Sequence, residues 1–88
     1  MIYNKDPDAV LDYSVDWAAW LGADTIVTST WPVVPAGITK DSDTNDTTSA
    51  TIWLSGGTAG QTYQITNRIV TAGGRTDDRT ITIQIVEK

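Results

Sequence analysis

The runs TYQITNRIVT at 62–71 and RTITIQIV at 79–86, joined across Ala72, Gly73 and Gly74, decide the fold. Apolar and polar residues exchange sides at each step, the period of a strand with one buried face. Glycines between two such runs mark a hairpin. Tyr63, Ile65 and Ile69 share one face of the first arm, and Ile81, Ile83 and Ile85 share one face of the second. All these positions are odd. Directly opposed residues share a face, so the numbers of each cross-strand pair must sum to an even value. A two-residue Gly73-Gly74 loop gives an odd sum. A three-residue loop over 72–74 sets Thr71 opposite Arg75 and gives an even one, with Gly74 in the left-handed conformation such loops need. This register sets Arg68 opposite Asp78 and Asn67 opposite Arg79. The inward face thus turns polar halfway along, and the distal half, roughly 67–79, is expected to extend beyond the hydrophobic core.

Working back towards the start, Ala50–Leu54 reads as a strand with Ile52 and Leu54 inward and Trp53 outward. The polar stretch Asp41–Thr48 reads as a loop. Thr25–Trp31 is a strand in which Val27, Ser29 and Trp31 share a face, with Trp31 in the core. Pro32 and Pro35 are expected to end it, since neither can donate to a ladder. Leu11–Asp16 alternates and is the first strand. Trp17–Leu21, rich in Ala and closed by Gly22, reads as one helical turn folding Trp20 or Leu21 over the end of the sandwich. Residues 1–10 read as an extended arm. Together these make one domain, 1–88: an all-β, immunoglobulin-like or fibronectin III-like antiparallel sandwich of about six or seven strands.

Nine Ile, four Trp and three Tyr, with no Phe, Cys or His, supply a thin core of large side chains. Without Cys or His the commonest nucleophile–base pairs and zinc ligands are missing, and no enzyme, metal or cofactor is expected. The net charge is −5. Residues 1–46 carry eight of the acids, and all three arginines sit on the final hairpin. An acidic chain is a poor partner for nucleic acid, because phosphate contact needs a positive face. No apolar run is long enough to span a bilayer and no signal-peptide pattern opens the chain, so the protein reads as soluble and cytoplasmic when made.

Several clusters invite a functional reading. Tyr63 follows a Gly-rich turn and opens the longest strand, the position of a tyrosine corner whose hydroxyl bonds upstream backbone; a plain core Tyr is the alternative, and both are structural. Asp41–Asp46 has the alternating oxygens of a calcium loop but lacks its glycine and its final glutamate. Asp77 and Asp78 are adjacent in a strand and point to opposite faces, so they cannot act on one substrate atom. Arg68, Arg75 and Arg79 with Asn67 are either an ordinary solvated hairpin or a docking hairpin for a partner's acids or carbonyls. Trp20 and Trp53 are either packing residues or exposed platforms for a protein or a sugar.

The segments KDPD (5–8), LDYSVDW (11–17), WL (20–21), STW (29–31), PAGI (35–38), WLSGGTAG (53–60) and TNRI (66–69), with Gly74 and Arg75, resemble a family of small proteins encoded among the virion structural genes of tailed phages and prophages. The family is fibre–tail adaptor-like, with an immunoglobulin-like domain. The resemblance spans nearly the whole chain and brings no catalytic motif. It implies a non-enzymatic virion protein, made in the host bacterial cytoplasm, that links or decorates tail or neck components. Its partners would be other virion proteins, with a ring or trimer of copies once assembled and no nucleic acid or membrane contact. The alternative is a carbohydrate- or cell-surface-binding module of the same fold using an exposed Trp.

Overall fold

A computed structural model of the chain describes residues 1–87; Lys88, counted above among the charges, lies outside the described residues. The elements run β1 (Ile2–Lys5), β2 (Leu11–Asp16), α1 (Ala18–Leu21), β3 (Ile26–Val33), β4 (Ile38–Asn45), β5 (Ser49–Gly56), β6 (Thr62–Thr71) and β7 (Thr76–Ile85). They form two sheets, β1-β7-β6-β3 and β2-β5-β4. Inward residues of both sheets make one core, including Val15, Ile52 and Leu54 from one and Ile65, Ile69, Ile81 and Ile83 from the other. The fold is an all-β sandwich. Lettered in chain order, β2-β5-β4 and β7-β6-β3 give the B-E-D and G-F-C groupings of immunoglobulin sandwiches, whereas the first strand joins the last.

The closing hairpin keeps the register that parity requires. Pairing runs without a shift from Thr62 opposite Gln84 to Val70 opposite Thr76. The Thr71 N–H donates to the Arg75 carbonyl at 2.8 Å, and Gly74 has φ +85°. Trp53 faces outward and is 39% exposed, between buried Ile52 and Leu54. The distal half of the hairpin, however, does not project. Asn67, Ile69 and Thr71 are all buried, because Trp17 and α1 fold over that end of the sandwich. Trp17 and Leu21 are the buried residues there, while Trp20 is half-buried against the core.

Three further expectations are corrected. Asp41–Thr48 is not a loop: β4 continues through Asn45, paired with β5. An edge strand leaves much of its length in water, so polar residues do not break it. Lys40 and Asp43 lie opposite inward Leu54 and Ile52 and pair with each other at 2.8 Å; charges turned inward on an edge discourage pairing with another chain. The turn after β4 is held by the Asp46 carboxylate, which accepts the Thr48 and Ser49 N–H groups at 2.8 and 2.7 Å. In β3, register shifts between Ile26 and Thr28 and between Thr30 and Val33 break simple alternation. Ile26 is therefore buried with Trp31, and Val27 is 61% exposed. Pro32 lies inside this edge strand rather than ending it.

The third correction concerns residues 1–10. They are not a free arm, since β1 pairs in parallel with β7 from Ile2 opposite Thr82 to Lys5 opposite Ile85. Lys5 is fully buried. Its Nζ donates to the carbonyls of Gly56 at 2.7 Å and Asp6 at 2.9 Å. Charge-assisted bonds of this kind offset part of the desolvation of the ammonium. Burial pushes its pKa below the ordinary lysine value, against the pull of Asp6, Asp8 and Asp41. Lys5→Ala should cost about 2–4 kcal/mol, combining a cavity with two stranded carbonyls. Lys5→Met, which keeps the apolar stem, should cost less. Urea unfolding of both variants measures this, and wild-type stability for Lys5→Ala would sink the assignment.

Candidate protein-interaction surface

Arg75 and Arg79 lie four apart on one arm of the hairpin, so both side chains leave the same, inward face. Trp17 and Trp20 are three apart across a helical turn, so both indoles lie on one side of it. The fold brings the two sets together. The Arg75 guanidinium lies 4.2 Å from the centre of the Trp20 ring, and that of Arg79 lies 4.3 Å from the centre of the Trp17 ring. The two indoles meet edge to face at 5.4 Å. Arg75 also donates from Nε to Asp24 Oδ2 at 3.1 Å and from Nη2 to the Leu21 carbonyl at 3.0 Å. Arg79 Nη1 donates to the Asp16 carbonyl at 2.9 Å. These cations brace the hairpin against α1 and its flanks.

Asn67, a partner-binding candidate by sequence, is wholly buried. Its Oδ1 accepts the Trp17 Nε1 hydrogen at 2.9 Å, and its Nδ2 donates to Ser29 Oγ at 3.0 Å and the Thr30 carbonyl at 2.9 Å. Asp24 closes the same region. It accepts the backbone N–H groups of Thr25 and Gly73 at 2.9 and 3.0 Å. The Thr71 hydroxyl first, then these N–H groups and Arg75, hold its carboxyl down to about 2. The Tyr63 hydroxyl accepts the Thr58 N–H at 3.1 Å, upstream backbone at the foot of β6. Trp31 is buried, and its indole N–H has no hydrogen-bond partner among the described residues.

Two candidates lie apart from this cluster. Arg68 is exposed but held by Asp78 through two bonds of 2.8 and 3.0 Å, and the pair borders a shallow depression with Thr76 and Asp77. Trp53 stands on the outer face of the three-strand sheet, opposite Asp12 on β2 and Ser42 on β4. Asp16 and Asp41 share that face, the latter accepting the Ser55 hydroxyl at 3.1 Å. The outer face of the four-strand sheet is nearly neutral, with Thr66 and Thr80 bonded at 2.9 Å beside the Arg68–Asp78 pair. The molecule therefore presents one acidic face centred on an indole and one threonine-rich face.

The family of the podophage GP4 fiber-tail adaptor protein gp77 matches residues 5–84. The chain belongs to that family. Membership makes it a structural phage-tail protein, one that works by binding other phage structural proteins. No curated protein matches the chain.

Two outcomes test this division. Asn67→Leu strands the Trp17 N–H and the Thr30 carbonyl and should lower stability by about 2–4 kcal/mol in urea unfolding, whereas Arg68→Ala should leave the midpoint nearly unchanged. Asp24 has a folded pKa below its ordinary 3.8, so the folded state binds fewer protons than the unfolded chain between about pH 2 and pH 4. Its contribution is complete above that window and is lost as pH falls through it. Thermal melts across the window should show a smaller acid loss for Asp24→Asn than for wild type.

Proposed function

We propose that this chain is a single-domain, non-enzymatic virion component that joins tail or neck proteins to neighbouring parts through passive protein–protein contact. The match to the fiber-tail adaptor family over residues 5–84 carries the reading. The surface supports it. Inward charges on β4, and register shifts with Pro32 on β3, blunt two of the sandwich edges. The broad sheet faces are then the natural contact surfaces, with Trp53 and Arg68 as the members of the candidate set that stand on them. Copies are arranged by rotational symmetry in the particle, as a ring or trimer. The arginines are engaged internally and the net charge is −5, so neither nucleic acid nor an anionic membrane is the partner. The protein is made in the host cytoplasm and ends in the virion.

One observation favours a second reading. Trp53 is exposed on a flat face, as a sugar-stacking residue would be, whereas Trp20 is covered by Arg75. Titrating the intrinsic fluorescence with host cell-wall saccharides separates the two; a flat titration counts against sugar. The decisive experiment deletes the gene from its phage. Purified particles should lack fibres and adsorb poorly, and expression in trans should restore both. Normal fibre content in the deletion, together with absence of the protein from wild-type particles, would end the adaptor reading.

A further inference from the structure

We propose that the outer face of the three-strand sheet receives an arginine from another virion protein, its guanidinium stacked on Trp53 and paired with Asp12. The inference rests on the reading that the chain is part of the particle. Its warrant is a pattern the molecule already uses twice. Arg75 lies on Trp20 and reaches Asp24; Arg79 lies on Trp17 and reaches the Asp16 carbonyl. In each case an indole face and an oxygen acceptor beside it bind one guanidinium. Trp53 and Asp12 form a third such set. They are directly opposed on β5 and β2, which brings their Cβ atoms within about 4.5–5.5 Å. Among the described residues neither side chain makes a hydrogen bond, ion pair or ring contact, and Trp53 is 39% exposed.

Charge fixes the occupant. Asp12, Asp16 and Asp41 give this face a negative field. The cation nearest in β4, Lys40, lies opposite inward Leu54 and is tied to Asp43. A second copy of the chain is a poor donor, because Arg68, Arg75 and Arg79 are each engaged at home. The partner is therefore a different protein with a basic surface. Arginine fits better than lysine, since a planar guanidinium stacks on an indole while its N–H groups still reach a carboxylate at the ring's edge.

The test uses phage carrying Trp53→Ala, Asp12→Lys or, as a control on the opposite sheet, Gln64→Ala. Circular dichroism and melting establish that each variant folds; if Trp53→Ala does not, Asp12→Lys carries the test. Copies per purified particle are then counted by quantitative mass spectrometry. Trp53→Ala and Asp12→Lys should each lower incorporation by about tenfold or more, with Gln64→Ala unchanged. A photo-crosslinker at Ser14, beside Asp12 on the outer face, should join wild-type protein to a segment of another virion protein containing arginine. Wild-type copy number for folded Trp53→Ala and Asp12→Lys would overturn the proposal while leaving the adaptor reading intact. So would a crosslinked segment without arginine, or quenching of Trp53 by saccharides. Absence of the wild-type protein from particles would instead remove the adaptor reading on which the proposal stands.

Discussion

One buried amide organises the upper half of this sandwich. Asn67 sits on the inward face of β6, where the isoleucine pattern breaks, and each of its polar atoms is used. It joins the indole of Trp17, at the end of the three-strand sheet, to Ser29 and Thr30 on β3. A polar group in that position would cost more than it returns if any partner were missing. Satisfied, it fixes where Trp17 lies. The position of Trp17 sets that of Trp20 through the helical turn, and the two indoles supply the surfaces on which Arg79 and Arg75 rest. The basic end of the hairpin is thus tied into the fold's own contacts.

That internal use of cations shapes the exterior. A chain with few basic residues has tied the described ones into ion pairs, stacking and carbonyl contacts, and many carboxylates are left facing water. Some of these have local work: Asp46 closes a turn, and Asp24 ties the β6–β7 loop to the segment before β3. Others, such as Asp12 on the face around Trp53, do not. The contrast between an acidic face and a threonine-rich one gives the sandwich a polarity that net charge alone does not reveal.

The strong alternation of the final hairpin made its register legible, because parity leaves few pairings once the inward residues are known. The outward direction of Trp53 followed from the same rule. What was hidden depends on tertiary partners. Nothing local in Asp41–Asn45 favours a strand, and only the ladder offered by β5 makes it one. The shifts in β3 bury Ile26 and expose Val27 against simple alternation. The polarity of Asn67 points to an exposed position, whereas its parity places it inward. Arg75 and Arg79 share that parity, and two tryptophans three apart across a helical turn were the available sign that something would cover them. Lys5 carried no sign at all, since a lysine near a chain end is ordinarily solvated.

The parallel pairing of β1 with β7 has a mechanical meaning. The chain enters this pair at Ile2 and leaves it beyond Ile85, so the two ends depart in opposite directions along the strands. Tension applied between them would load the β1–β7 hydrogen bonds in shear, all at once, rather than peeling them open one by one. The Lys5 ammonium, tied to Gly56 across the sandwich, adds a rivet at the far end of that seam.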